Sequence, residues 1–391
     1  MPRGLQIPNP RERLLVQAAD AFCAPLRWFR AGAPTRTAPQ RILLLRLERI
    51  GDLLMVYRAI AQVRAQWPDA VIDLAVGSWN APIARLMPEI TTVHLADVPW
   101  LAREGTGLSW PALVARARTW RRDRYDLVIN FEPDIRSNLL AWLSGAPVRV
   151  GYWTGGGGAL LTHASAYDPA RHVSDNATDL VRETAGHLGT TAAPVVPMPR
   201  LQLPDDATRA AAELVGSHSG VVAGLHVSGG RPSKQWHLDR FAEVGRALAA
   251  DGALVVLTGG AGDRPLVDAV LDRLGPVPVI NTAGTLNLTV TAALLARLDV
   301  LVTGDTGPMH LAAAVGTPVV ALFGPSDPRR YGPLGDGHQV LRVQLPCSPC
   351  GLVRLPPERC RGRVPECLDS IAVDTVVAHA RAVIGARGGV S

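Results

Sequence analysis

Residues Thr303–Pro333 read T-G-D-T-G-P-M-H-L-A-A-A-V-G-T-P-V-V-A-L-F-G-P-S-D-P-R-R-Y-G-P. The apolar run Leu298–Thr303 predicts a buried strand that ends at Gly304-Asp305-Thr306-Gly307. Pro308 then stands at a first helical position, where its fixed φ is already right and its missing N–H would have been unpaired anyway. A short helix Met309–Val315 is expected to stop at Gly316, with a second buried strand over Pro318–Phe323. A Gly/Thr loop that feeds a helix N-terminus offers backbone N–H groups and the positive end of the dipole to an anion such as phosphate. Pattern alone leaves two readings open: a phosphate-binding βαβ turn, or a turn and cap with no ligand.

The same alternation extends in both directions. Arg41–Leu47 is a continuous apolar strand that runs into Arg49-Ile50-Gly51-Asp52 and a helix over roughly Leu53–Gln66. Val71–Val76, Leu127–Asn130 and Val148–Gly151 read as further strands, with a basic helix over Pro111–Arg124. Thr190–Asp206 carries four prolines and no period, so it reads as an interdomain linker. Beyond it come the strand Val221–His226, helix Leu238–Ala250, strand Ala253–Thr258, and helices Arg264–Leu274 and Thr289–Leu298. Strands alternating with helices predict an α/β chain with doubly wound parallel sheets.

At 391 residues the chain is long enough for two domains, each with its own core. Apolar residues make up 47% and aromatics 5%, so those cores are built from Ala, Leu and Val. A net charge of +6 suits an anionic partner: a sugar nucleotide, a phosphorylated glycan or a membrane surface. Of the 40 basic residues a single one, Lys234, is lysine, which points to a role that needs a compact ammonium rather than a fork. The sequence has no apolar run of the roughly 18 residues that a spanning helix needs. Gln17 and Asp20 interrupt the stretch Leu14–Leu26, so no signal-peptide core is read and a cytoplasmic location is expected. Leu14, Ala18, Phe22, Leu26 and Phe29 recur at helical spacing with Arg11, Arg13, Arg27 and Arg30 beside them, and Pro25 bends or breaks the run. Such a helix either lies peripherally on the inner face of the cytoplasmic membrane or docks on the protein body.

The signature string resembles very closely that of the ADP-heptose:lipopolysaccharide heptosyltransferase family (glycosyltransferase family 9), and matches extend over most of Arg41–Ile384. The resemblance implies a GT-B fold, with two Rossmann-like doubly wound domains facing a cleft. The domains expected are an N-terminal extension (1–40), an acceptor-binding domain (41–195), a nucleotide-sugar-binding domain (206–370) and a last helix (371–391) that packs back on the first domain. The implied reaction is inverting transfer of heptose, or a related sugar, from an ADP-sugar to a lipopolysaccharide core or similar glycan acceptor. Transfer from another nucleotide sugar to a polysaccharide or protein is the alternative. So is a non-catalytic sugar-nucleotide-binding protein, which Gly51-Asp52 argues against. No nucleic-acid partner and no catalytic cofactor are expected.

Residue by residue, the family's first-strand motif ends in the same Gly-Asp, which implies Asp52 as catalytic base; read alone, an Asp at a strand-to-helix junction is a helix N-cap. Leu225–Trp236 contains Ser228, Gly229 and Lys234, and the family's lysine at that place contacts the sugar phosphate. Gly260 and Asp263 close a glycine-rich turn where the family usually has Glu against the nucleoside. Asp305, Thr306 and Gly307 would hold the diphosphate region, and the resemblance places His310 beside the donor phosphate. Cys347, Cys350, Cys360 and Cys367 form a C-x2-C…C…C set with 9 and then 6 intervening residues in the later intervals. That set is either a structural zinc or iron site or a loop of free thiols. Arg116, Arg118, Arg121, Arg122 and Arg124 form either a solvated helix face or a surface for an anionic acceptor or membrane.

Overall fold

The computed structural model describes residues 4–7, 9–25, 38–101 and 107–388. The chain divides into two compact units at Pro199/Arg200. The first holds β1 (Arg41–Leu45), β2 (Val71–Val76), β3 (Thr92–Leu95), β4 (Leu127–Asn130), β5 (Val148–Tyr152) and β6 (His163–Ser165). They form one parallel sheet in the order β3-β2-β1-β4-β5-β6. The second holds β7 (Val222–His226), β8 (Leu254–Thr258), β9 (Val279–Asn281), β10 (Val300–Gly304), β11 (Val319–Leu322) and β12 (Gln339–Leu341). Its order, β12-β11-β10-β7-β8-β9, is the same winding repeated.

Each sheet therefore starts in its middle, winds outward one way, and returns to wind the other. The switch falls between β1 and β4 in one unit and between β7 and β10 in the other. Beyond the carboxyl ends of strands at such a switch lies the crevice where ligands bind in open α/β sheets. Central strands are buried along nearly their whole length, which accounts for their lack of an alternating polar face.

Several boundaries differ from expectation for local reasons. β1 ends at Leu45: Arg46 N still donates to Ala75 O of β2, but Leu47 N turns to the Glu132 carboxylate instead of a strand partner. The expected helix Leu53–Gln66 is two helices, Ile50–Met55 and Tyr57–Gln66, broken at Val56, whose ψ is 3°. The basic helix ends at Thr119 and continues as a 3-10 turn Trp120–Asp123, after which Arg124 is left-handed with φ 51°. The linker's first part is tied to the first unit: Gln62 donates to Ala193 O and Pro194 O and accepts from Val196 N. Its last part belongs to the second, where Leu201 N donates to Ala314 O.

The last helix, Val373–Gly388, packs on the core of the second unit. Val376, Val377, Ala380 and Val383 are buried in that unit's core together with Phe241, Leu248 and Leu257. Arg381 pairs with Asp251, and Arg387 donates to Leu298 O.

The N-terminal helix is Pro10–Cys23, capped by Asn9 Oδ1, which accepts from Arg11 N and Glu12 N. Leu26, Arg27, Phe29 and Arg30 lie outside the described residues. The helix docks through Val16 and Asp20 on the loop Thr154–Gly158. Asp20 accepts from Gly157 N, and Val16 sits so close over Gly156 that a Cβ there would lie 2.3 Å from its methyl.

Candidate active site

In the second unit, the two loops at the switch meet. The chain leaves β7 through Val227-Ser228-Gly229-Gly230 and folds back in the turn Pro232–Lys234. Gln235 locks that loop, accepting from Gly229 N at 2.8 Å and donating to Val227 O at 2.7 Å. A Cβ at Gly229 would lie 2.5 Å from Lys234 O, so only glycine lets the loop close this tightly. Ser228 Oγ accepts from Gly230 N at 3.2 Å. From this turn Lys234 Nζ reaches Asp305 Oδ2 at 2.9 Å, just past β10. Residues more than seventy positions apart thus form one charged pair, with side chains 19% and 12% exposed.

Thr306 is the N-cap of the helix Gly307–Val315, so Gly307 takes the first position and Pro308 the second. The Thr306 hydroxyl makes no cap bond. It lies 3.2 Å from Thr303 Oγ1 and donates to Gly304 O at 3.4 Å, within the loop. His310 is buried rather than a surface residue. Asp263 uses Oδ2 to accept from Gly260 N at 2.8 Å, closing its own turn after β8. His226, which carries no role in the sequence reading, is buried against Thr258 at 3.1 Å, and burial lowers its pKa against the pull of Asp263.

In the first unit, Asp52 is not the N-cap. Arg49 holds that position, and Asp52 stands in the first turn with Oδ2 accepting from Arg49 N at 3.3 Å. Its other oxygen faces Arg46 Nη2 at 3.6 Å, and the same nitrogen pairs with Glu48 Oε2 at 3.0 Å. Arg46 is 3% exposed; burial alone would lower its pKa, but Glu48, Asp52 and Glu132 hold it above the ordinary value. Glu132, just past β4, completes the cluster, with burial raising its carboxyl and Arg46 opposing. Arg46, Glu48 and Glu132 carry no role in the sequence reading. The visible signal was a charge at the carboxyl end of each of two apolar strands.

The four C-terminal cysteines line one cavity of about 340 Å³, bounded also by Arg359, Arg363 and Ser233. Among the described residues, no three His, Cys, Asp or Glu side chains are grouped so that they could hold a metal ion. The four cysteines are free thiols around this cavity. Cys350 is exposed, Cys347 and Cys360 are half-buried, and Cys367 is buried, its thiol pushed up to about 11 by burial and then by the other cysteines.

Two expectations follow. Alkylation followed by mass spectrometry should label Cys350 first and Cys367 last, since attack needs an accessible thiolate; equal protection of all four would show the sulfurs engaged elsewhere. The Glu48 carboxyl is pushed up to about 8 by burial, with Asp52, Glu132 and Asp134 adding and Arg46 opposing, against 4.5 for the free group. Between those values the folded chain keeps a proton that the unfolded chain has released, so stability falls as pH rises through this window. Denaturation midpoints for Glu48→Gln should vary less between about pH 5 and about pH 8 than those of the native chain. An identical pH slope in both proteins would count against it.

The sequence profile of glycosyltransferase family 9 (heptosyltransferase) matches residues 114–354, more than half the chain. That stretch contains the Lys234 turn and the Asp305–His310 loop, while Asp52 lies before it. The lipopolysaccharide heptosyltransferase 2 of Salmonella typhimurium is 27% identical over 324 residues, covering 78% of this chain and 88% of that protein. The solved E. coli ADP-heptose lps heptosyltransferase II is similar with a TM-score of 0.72 at 22% identity, covering 89% of this chain and 99% of that one. A family 9 glycosyl transferase from Veillonella parvula gives 0.73 at 21% identity, covering 90% and 99%. With these similarities beside two Rossmann-like sheets of identical winding, the chain belongs to glycosyltransferase family 9 (heptosyltransferase) and is a glycosyltransferase of GT-B fold.

Proposed function

We propose that this protein transfers heptose, or a closely related sugar, with inversion from an ADP-sugar to a lipopolysaccharide-core or similar glycan acceptor. The observation that carries the reading is the Lys234–Asp305 pair at the second unit's switch point, inside the stretch matched by the family profile. Lys234 is a point charge in place to meet a diphosphate, and Asp305 holds it there until the anion arrives. The amides at the start of helix Gly307–Val315 and its dipole add positive potential. His310, when protonated, offsets leaving-group charge. Donor preference for ADP-heptose is supported by the solved relative whose name carries that donor; acceptor preference is supported by the lipopolysaccharide relative.

In the reaction, Asp52 accepts the proton of the acceptor hydroxyl, and the oxygen attacks the anomeric carbon from the face opposite the phosphate. The bond from that carbon to the phosphate oxygen breaks, and ADP leaves with the electron pair. Lys234 and the helix N-terminus take up the charge that develops on it. Asp52 then returns its proton to water. One of its carboxylate oxygens faces the Arg46 guanidinium at 3.6 Å.

Asp52→Asn should keep ADP affinity in calorimetry but lose about 10²–10⁴-fold in turnover, measured as sugar-transfer product from an ADP-sugar and a truncated core acceptor. Near-normal turnover would remove Asp52 as base. If the native protein makes product only from a different nucleotide sugar, the donor assignment fails while the transferase reading stands.

The reading also includes peripheral attachment to an anionic membrane. No helix among the described residues is long and apolar enough to cross a membrane. The N-terminal helix instead turns Leu14, Leu15 and Phe22 outward, 68%, 71% and 85% exposed, with Arg11 and Arg13 on its first turn. Because Val16 and Asp20 hold the opposite face to the protein, the outward stripe is left for a surface that combines apolar depth with negative charge. Vesicles containing phosphatidylglycerol should bind the native protein and release it in high salt. Leu14→Ser/Leu15→Ser/Phe22→Ser should not bind; equal flotation of both proteins would end this assignment.

A further inference from the structure

Glu132 is 2% exposed, and its Oε1 accepts from two successive backbone amides, Leu47 N and, at 3.0 Å, Glu48 N. Those amides belong to the loop that leaves β1 and enters the helix Ile50–Met55, with Asp52 in its first turn. The return crossing is made by Arg46, which donates from Nη1 to Phe131 O at 2.8 Å and from Nε to Asp52 O at 3.1 Å. Glu132 is itself held in place. Asn130 accepts from Glu132 N and donates to Glu132 O, each at 3.1 Å, and bonds onward to Ser137 and Asn138.

The amides of a chain leaving a sheet can ordinarily turn to water. Here a buried carboxylate, which is expensive to desolvate, takes both. One acceptor shared by two consecutive N–H groups fixes the direction of both peptide planes, and so the path of the turn that follows. Leu47 is fully buried, and Glu48 O accepts from Trp79 Nε1 and Asn80 Nδ2 at 2.9 and 2.6 Å, so the loop is gripped from a third side as well.

We propose that Glu132 is a positioning residue for glycosyl transfer: from across the switch point it clamps the Leu47 and Glu48 amides and so holds the loop in the path that presents Asp52 to the acceptor hydroxyl. Glu132 acts through the backbone and not on the reacting atoms. The proposal rests on the assignment of Asp52 as base.

Its test compares Glu132→Ala with Glu132→Gln. Alanine removes the acceptor, so hydrogen exchange at the Leu47 and Glu48 amides should rise at least tenfold. The kcat should fall on the order of 10²-fold, the loss that a misplacement of about 1 Å brings, with ADP affinity unchanged. Glutamine keeps a carbonyl for the two amides and should restore protection and most of kcat. If alanine prevents folding, Glu132→Asp, whose carboxylate stops one methylene short, carries the same comparison. Native exchange rates and native kcat in the alanine or aspartate variant would overturn the proposal, as would a glutamine variant as impaired as alanine. Faster exchange together with a fully active Asp52→Asn would leave the clamp standing and remove Asp52 as base, so the two failures are distinguishable.

Discussion

Where a parallel sheet changes its direction of winding, the chains that leave the two paired strands run to opposite faces, and the backbone beyond the strand ends has no ladder. Whatever takes up those groups decides the shape of the crevice. In the first unit the answer is ionic: Glu132 takes two amides from the β1 loop while Arg46 takes a carbonyl from the β4 loop. Each strand sends a charge across to the other's backbone. The turn that follows, with Asp52 on it, inherits its course from that exchange.

The second unit meets the same constraint with different parts. Lys234 comes from the loop after β7 and Asp305 from the loop after β10, and their ion pair joins the two loops over the gap. Gln235 does for this loop what Asn130 does in the first unit, bonding backbone on both sides of a tight turn. Two sheets of one winding thus carry a charged link at the same topological place. A half-buried pair of this kind contributes little net stability, because desolvation offsets most of the attraction. Its value is geometric. It holds two polar side chains in a conformation that apolar packing would not specify.

The charge balance of the first cluster has a further consequence. Arg46 is surrounded by Glu48, Asp52 and Glu132, so one cation is shared among several carboxylates. The Glu48 carboxyl is pushed upward by desolvation and by Asp52 and Glu132, against the pull of Arg46. Asp52 has one oxygen toward Arg46 and a third of its side chain exposed, so it is the member of the cluster that solvent reaches most openly after Glu48.

Much of this was legible in the residues alone. The eight inner strands stood out because a strand buried on both faces is a continuous apolar run, as in Leu254–Thr258 and Val300–Gly304. The strands that gave no signal, β3, β6, β9 and β12, are the four sheet edges; they are three or four residues long and partly exposed, so they have no apolar run to announce them. Lys234 and Asp305 were each visible through the motifs around them. Sequence by itself determined the alternation of elements, the strand–turn–helix around Asp305 and the family, because these depend on periodicity and on short-range backbone chemistry. Only the tertiary structure decided which residues meet. The apolar stripe of the last helix is buried in its own unit's core, and Leu14, Leu15 and Phe22 face outward while Val16 and Asp20 hold the other side of their helix to the protein. The joining of Glu132 to amides more than eighty residues away needs β4 to lie beside β1. Partners that distant are chosen by the order of strands in a sheet, and no local pattern in a chain encodes that order.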